Sequence, residues 1–62
     1  MTEVSDERIR KLRHDLANPL SAVLAEAQLL LMNSDDYDKE TLDSLREIES
    51  LSRRMRTILE EV

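Results

Sequence analysis

The sequence contains no cysteine and no glycine, one proline, and one aromatic residue, Tyr37. Without cysteine the chain has no disulfide and no thiolate metal site, and a single histidine cannot form a zinc site by itself. Without glycine it has no phosphate-binding loop of the Walker or dinucleotide type, because both loops need backbone conformations that glycine allows. The composition therefore predicts that the chain holds no metal and binds no nucleotide by itself.

The chain also lacks a long apolar run and an excess of positive charge. Its longest uncharged run, residues 16–25, is far shorter than the roughly 20 apolar residues of a membrane span. No positively charged start precedes an apolar segment, so no signal peptide is indicated. The formal net charge of −5 argues against nucleic acid as a partner. We expect a cytoplasmic location, and we expect that residues 1–62 make no contact with a membrane.

Helix-forming residues dominate what remains, and 37% of the 62 residues are charged. Apolar residues recur every three or four positions in two segments, which predicts an all-α chain of two helices, about 6–32 and about 38–62, joined by a loop at 33–37. The first stripe is Ile9, Leu12, Leu16, Leu20, Val23, Ala27 and Leu30, and the second is Leu45, Ile48, Ser52, Met55, Leu59 and Val62.

Polar residues at the segment ends are candidate helix caps. Ser5 or Asp6 is expected to cap the first helix, since a side-chain oxygen there accepts from free backbone N–H groups. Asp36 or Asp38 is expected to cap the second, with Glu40 in its first turn, where the helix dipole favours an anion. The two helices then form an antiparallel hairpin.

Flanking apolar residues make both stripes wider than one helix partner can cover. A lone hairpin would leave a large apolar patch in water, which monomers rarely tolerate. Pairing two hairpins into a four-helix bundle buries both patches, and a symmetric homodimer is the simplest way to do so. Ser52, the polar member of the second stripe, is expected at the dimer core or its edge, bonded to the carbonyl of Ile48. The flanking residues are Leu24, Leu29, Leu31, Leu42, Leu51 and Ile58.

Pro19 lies in the middle of the first stripe, where it removes the hydrogen bond to the Asp15 carbonyl. One interpretation is a break in the helix, with Asn18 as a new N-cap and Pro19 at the first helical position. The other is one kinked helix. Apolar residues keep a seven-residue spacing across the proline, which favours the kinked helix.

His14 points away from the first stripe. At about 100° per residue it lies about 140° from Ile9 and about 160° from Leu16, whereas Asn18 and Ser21 lie within about 40° of it. These three polar residues form a line on the exposed side of the helix. An exposed imidazole can serve as a nucleophile, a base or a phosphate acceptor, although an ordinary surface histidine has the same placement.

The residues that follow His14 carry a family resemblance. Residues 14–20, HDLANPL, resemble the H-box of sensor histidine kinases, in which histidine is followed by Glu or Asp, Leu, any residue, Thr or Asn, Pro and Leu. With a second amphipathic helix after a loop, the whole chain, 1–62, resembles the dimerisation and histidine-phosphotransfer domain of these kinases. The resemblance implies a homodimeric four-helix bundle that takes part in two-component signalling.

The resemblance also implies roles for four residues. His14 would be the phosphoacceptor, which takes the γ-phosphate of ATP and passes it to an aspartate of a response-regulator receiver domain. Asp15 would be the general base that orients the imidazole, and Asn18 would position water for phosphatase activity toward the regulator. Pro19 would kink and loosen the helix beside the site.

ATP, with Mg, would be bound by a separate ATP-binding domain of the same kinase, because nothing in this chain could bind it. The chain would then be a substrate and scaffold of the kinase reaction and would not be active alone. Its expected partners are a second copy of itself, that ATP-binding domain and the receiver domain.

Charge placement gives an argument that is independent of the resemblance. In a hairpin folded about its loop, seven of the nine basic residues gather toward the histidine end. Such a basic collar would attract phosphates and acidic partners, although solvated helix faces can segregate charge without any function. The collar is Arg8, Arg10, Lys11, Arg13, Arg53, Arg54 and Arg56, of which Arg10, Arg13, Arg53, Arg54 and Arg56 are the candidate partner-binding residues.

Two other interpretations remain open from the sequence. A purely structural dimerisation hairpin with a chemically idle histidine would have the same stripes. A stand-alone histidine phosphotransfer protein is a third possibility, but such proteins usually have a longer bundle, with Lys and Gly after the histidine where this chain has Asn18 and Pro19.

Overall fold

The computed structural model describes the backbone of residues 2–62 and the side chains from Asp6 onward. Helix α1 spans Thr2–Leu31, a 3-10 turn spans Ser34–Asp36, and helix α2 spans Lys39–Glu61. The two helices pack against each other as a hairpin that extends 53 Å along its longest axis. Residues 2–62 contain no strand. The predicted all-α hairpin is confirmed.

Helix α1 begins earlier than the sequence pattern predicts. Its first residue is Thr2, so Asp6 lies inside the helix and does not cap it, and the predicted start near residue 6 is wrong. The side chain of Ser5, the other candidate cap, lies outside the described side chains. No glycine or proline interrupts this segment, and acidic residues near a helix start interact favourably with its dipole. The helix therefore extends beyond its apolar stripe.

Helix α1 also continues through Pro19 without a break. A proline in a helix interior lacks the N–H that would bond to the carbonyl four residues earlier, which here belongs to Asp15. The interpretation with a new N-cap at Asn18 is therefore wrong, and a single helix carries the whole 14–20 segment. The kink assigned to Pro19 stays a prediction.

A compact turn joins the two helices and ends on a side-chain cap. The backbone N–H of Asp36 donates to the carbonyl of Asn33 at 3.0 Å, which closes the 3-10 turn. Asp38 is the N-cap of α2, and its Oδ1 accepts from the backbone N–H of Thr41 at 2.8 Å. Of the two candidate caps, Asp38 is confirmed and Asp36 is not. Glu40 lies in the first turn of α2, as predicted.

The contact between α1 and α2 uses only one edge of each apolar stripe. Four residues are buried among the described side chains: Leu24, Ala27, Leu45 and Ser52. Ser52 is the most enclosed of them, with 1% of its surface exposed, and it is buried within a single hairpin. Its predicted place at the dimer core or its edge concerns a pair of hairpins and stays a prediction.

The rest of the two stripes forms one exposed apolar face. A groove between the helices is lined by Leu16 and Leu20 of α1 and by Met55, Ile58 and Leu59 of α2. A second groove, nearer the loop, is lined by α1 residues such as Val23 and Leu30 and by Leu45 and Ile48 of α2. Both helices thus expose apolar residues on the same side. We define the apolar face as Ile9, Leu12, Leu16, Val23, Leu30, Ile48, Leu51, Met55, Ile58 and Val62.

Candidate functional site

The imidazole of His14 projects from the middle of α1 into solvent. Its side chain is 77% exposed, and that of the next residue, Asp15, is 58% exposed. Nδ1 of His14 lies 3.9 Å from Oδ1 of Asp15, which is ion-pair range but longer than a hydrogen bond. Nδ1 is thus the ring nitrogen beside the carboxylate, and the exposed imidazole is accessible to a reaction partner.

Asn18 lies one helical turn after His14 and is exposed, like Ser21 another turn along. Because α1 is unbroken, these three side chains stand on one side of the same helix, about 40° or less from the direction of the imidazole. Pro19 follows Asn18 and leaves the Asp15 carbonyl without its usual helical donor. The helix therefore brings an imidazole, a carboxylate and an amide within about one turn of each other.

The imidazole and the apolar face lie on opposite sides of α1. Val23, near the centre of the apolar face on this helix, is nine positions from His14, which corresponds to about 180°. A second molecule could therefore cover the apolar face without covering His14. The hairpin separates a surface suited to association from a surface suited to chemistry.

Arg13, the residue before His14, lies between the two helices. Its Nη2 donates to the backbone carbonyl of Val62, just after the end of α2. Its Nε is buried, with no hydrogen-bond partner among the residues the structure describes. Arg13 is one of the predicted collar residues, but in the structure its side chain contacts the backbone after α2, and its guanidinium is not fully open to a partner.

The other collar residues are exposed, but their charge is mixed with acidic residues. Arg10, Arg54 and Arg56 are exposed to solvent. Arg53 donates from Nη2 to Oε2 of Glu49, 3.4 Å away and one turn closer to the loop on the same helix. The last turn of α2, beside Arg13, also carries two carboxylates, those of Glu60 and Glu61. A partner-binding role of the collar residues stays a prediction.

Acidic residues dominate the loop end of the hairpin. Hydrogen bonds from the side chain and then the backbone N–H of Thr41 hold the pKa of the Asp38 carboxyl below its ordinary value of 3.8. Asp43 accepts from Lys39 at 3.1 Å and lies 3.9 Å from Arg46, so both basic residues of this end are paired within α2. The loop end therefore keeps a negative surface while the histidine end is mixed.

The sequence profile of the His Kinase A (phospho-acceptor) domain family matches residues 5–62. The chain belongs to this family. The match includes the whole 14–20 segment and both helices of the hairpin, apart from the first residues of α1. As a His Kinase A domain, the chain has a phospho-acceptor and dimerisation role within histidine kinases.

No curated protein and no solved structure matches this His Kinase A domain significantly. Across residues 2–62, neither helix combines the length and the apolar character that crossing a bilayer would require.

The inward placement of Arg13 was not predicted from the sequence, and the burial of Ser52 was predicted only for the dimer. The inward position of Arg13 follows from helical phase, because it lies about 20° from Leu24, the buried residue eleven positions later. The buried position of Ser52 follows from its place about two helical turns after Leu45, on the same side of α2. Both signals were present in the sequence, but they indicate a contact only once the face of each helix that meets the other is known.

Proposed function

We propose that this His Kinase A domain is the phosphoacceptor and dimerisation domain of a sensor histidine kinase in two-component signalling. His14 takes the γ-phosphate of ATP and passes it to an aspartate of a response-regulator receiver domain. The observation that carries the proposal is the exposed imidazole, with its Nδ1 3.9 Å from the Asp15 carboxylate. We also place the domain in the cytoplasm, where ATP and the regulator are available.

The first step is an attack by Nε2 of His14 on the γ-phosphorus. The bond from this phosphorus to the bridging oxygen of ATP breaks, ADP leaves, and a phosphorus–nitrogen bond forms at the ring. The ring becomes positively charged as this bond forms. Asp15 stabilises that charge and accepts the Nδ1 proton, which requires the 3.9 Å separation of Nδ1 and Oδ1 to close to hydrogen-bond length. ATP and Mg are supplied by a separate ATP-binding domain.

The second step transfers the phosphoryl group from His14 to the receiver aspartate. The phosphorus–nitrogen bond breaks as a carboxylate oxygen of the aspartate attacks the phosphorus, Asp15 returns the proton to Nδ1, and neutral imidazole leaves. In the opposing phosphatase reaction, Asn18 orients a water that hydrolyses the phospho-aspartate of the regulator. Its amide suits this role because it can both donate and accept a hydrogen bond. Its exposed place one turn from His14 supports this role.

Homodimerisation through the apolar face completes the proposal. One hairpin leaves ten apolar side chains of this face exposed, and a symmetric pair would bury them in a four-helix bundle. Because His14 lies about 180° from Val23 around α1, the bundle would present both imidazoles outward. The dimer can therefore receive an ATP-binding domain and a receiver domain on its outer surface.

A phosphorylation assay tests the proposal. The chain is incubated with the ATP-binding domain of its kinase and with ATP labelled at the γ-phosphate, and a His14→Gln variant serves as the matched control. We expect acid-labile, base-stable phosphate on the unsubstituted chain and none on the control. Absence of such phosphate on both would favour a structural dimerisation hairpin with an idle histidine.

A further inference from the structure

Pro19 leaves one main-chain carbonyl of α1, that of Asp15, without the N–H that would bond to it in an ordinary helix. The proline is exposed, and around α1 it lies about 40° from Val23 and about 140° from the buried Leu24. It therefore borders the apolar face on the edge away from α2. A second copy that covers this face would restrict water beside the free carbonyl, which then needs a donor.

Arg54 borders the apolar face on the corresponding edge of α2. It is exposed, and around α2 it lies about 40° from Ile58 of the face and about 160° from the buried Ser52. The positions three and four residues before and after it carry no carboxylate, and among residues 6–62 it belongs to none of the ion pairs. Arg54 thus places an unpaired guanidinium with several N–H donors beside the apolar face.

The free carbonyl and Arg54 lie at the same level of the hairpin. The groove that contains Leu16 and Leu20 of α1 also contains Met55 of α2. Pro19 and Arg54 each adjoin one of these residues in sequence. In a pair whose twofold axis runs along the hairpin, α2 of each copy packs on α1 of the other at the same level, so Arg54 of one copy lies opposite Pro19 of the other. In an inverted pair α2 would pack on α2, and the two Arg54 guanidiniums, near the middle of the face, would repel each other.

We propose that, in the homodimer, Arg54 of each copy donates to the Asp15 carbonyl that Pro19 leaves free on the other copy. The second copy thereby completes the helical turn that follows His14 and also carries Asn18. Arg54 is a positioning residue, since it fixes this turn and does not touch the reacting atoms, and small misplacements of groups around such atoms are costly. The inference rests on the proposed function and deepens it, because the site of a single hairpin is then incomplete.

NMR of the Asp15 carbonyl carbon tests the contact, at a concentration at which sedimentation shows dimers. Arg54→Ala should move this resonance upfield, because a carbonyl carbon that loses a hydrogen bond is less deshielded. In a mixed dimer, a labelled unsubstituted chain paired with an unlabelled Arg54→Ala chain should show the same shift, and the reverse labelling should not. Arg46→Ala, which removes an exposed arginine of α2 outside the apolar face, is the matched control and should leave the resonance in place.

Phosphorylation of His14 by the ATP-binding domain and ATP tests the positioning. The initial rate should fall severalfold in the Arg54→Ala dimer, whereas Arg54→Lys, which keeps a cationic donor, should retain most of it. When Arg54→Ala is paired with a His14→Gln chain, the remaining histidine faces an intact arginine, so its rate should return to that of the unsubstituted dimer. When a chain with both substitutions is paired with an unsubstituted chain, the remaining histidine faces alanine and should stay slow.

The two measurements can each overturn the proposal. An unmoved Asp15 resonance in the Arg54→Ala dimer, or a shift that follows the arginine of the same chain, would overturn the contact. A rate that Arg54→Ala leaves unchanged, or that follows the arginine of the histidine's own chain, would overturn the positioning role. If the unsubstituted dimer takes no phosphate, the proposed phosphoacceptor function fails, and the carbonyl resonance still decides whether Arg54 makes the contact.

Discussion

His14 and Asp15 are adjacent in sequence, but their side chains leave the helix about 100° apart. Their approach to 3.9 Å therefore depends on the rotamers of both side chains and not on backbone geometry alone. Exposure keeps both groups hydrated, so each is free to reorient when a reaction partner excludes water. The rotamers of His14 and Asp15 therefore determine whether the carboxylate can reach Nδ1, which substitutions of single residues can test.

Asp15→Asn should slow autophosphorylation of His14 within the complete parent kinase. The amide keeps the shape of the side chain but cannot accept the Nδ1 proton, and general-base assistance is typically worth about 10²–10⁴-fold. The exposed position predicts a stability change within about 0.5 kcal/mol. Initial rates with labelled ATP provide the measurement. A rate equal to that of the unsubstituted kinase would show that Asp15 is only a solvated charge.

Asn18→Ala should leave autophosphorylation largely intact and reduce phosphatase activity toward the phosphorylated regulator. The reason is that Asn18 is assigned to the water and not to the imidazole, and the two residues project about 60° apart. Both activities are measured for Asn18→Ala and Asp15→Asn, each variant serving as the control for the other. Equal loss of both activities in either variant would mean that the residue only maintains the helix.

At the level of the secondary-structure elements, α2 depends on its cap and on one small buried residue. Asp38 begins the helix by accepting the Thr41 N–H, and Ser52 is the most enclosed of the described side chains. The cap is exposed and ionisable, whereas Ser52 is enclosed and neutral. The two should therefore respond to different changes, pH for the cap and side-chain volume for Ser52.

Asp38→Ala should lower the melting temperature of the hairpin at neutral pH, because the Thr41 N–H loses its acceptor. The pKa of Asp38 is lowered on folding, so the charged carboxylate stabilises the hairpin above about pH 3.8, the ordinary pKa of this group. This stabilisation is lost as the pH falls through the lower pKa of the folded state. The difference in melting temperature between Asp38→Ala and the unsubstituted chain should therefore narrow below about pH 3.8. Asp36→Ala, which removes an exposed carboxylate without a cap, is the control.

Ser52→Leu should destabilise the hairpin by about 1–3 kcal/mol, because a larger side chain in an enclosed position forces the helices apart. Ser52→Ala should cost much less, since it removes only the hydroxyl. Ser50→Leu makes the same change at an exposed position and should be nearly neutral. Urea unfolding of the three variants gives the comparison. An unchanged or higher stability of Ser52→Leu would show that the site has free volume.

At the level of the whole molecule, the hairpin is too thin to form a core by itself. Among the side chains from Asp6 onward only four are buried, and ten apolar residues remain exposed on one face. A chain of this size without metal or disulfide is marginally stable unless a partner covers such a face. Folding and dimerisation are thus expected to occur together.

Sedimentation at micromolar concentration should show a dimer for the unsubstituted chain. Met55→Glu places a charge in the groove beside Leu16 and Leu20. A dimer of this variant would bury two such charges, so we expect the variant to be monomeric or unfolded. Leu29→Glu adds the same charge on α1 at a residue that is 61% exposed and lies outside the apolar face, so it should remain a dimer. A folded monomer of the unsubstituted chain would refute the proposed bundle.

Much of the fold could be predicted because helices are local structures. The spacing of apolar residues over a few turns predicted both helices, the loop between them and the outward direction of His14. The 14–20 segment carried the family resemblance, and the family match supports it. The pattern missed the start of α1, since a helix without breakers can extend past its apolar stripe to Thr2.

The tertiary structure decided which part of each wide stripe faces the neighbouring helix. Leu24, which flanks the first stripe, is buried, while Val23 at the stripe itself is exposed, because the two helices meet along one edge of the apolar surface. The same choice turned Arg13 inward to the end of α2 and buried Ser52 within one hairpin. When an apolar stripe is wider than the contact with the neighbouring helix, several rotations of the helix fit the same spacing of apolar residues. Only the three-dimensional contact selects one of these rotations.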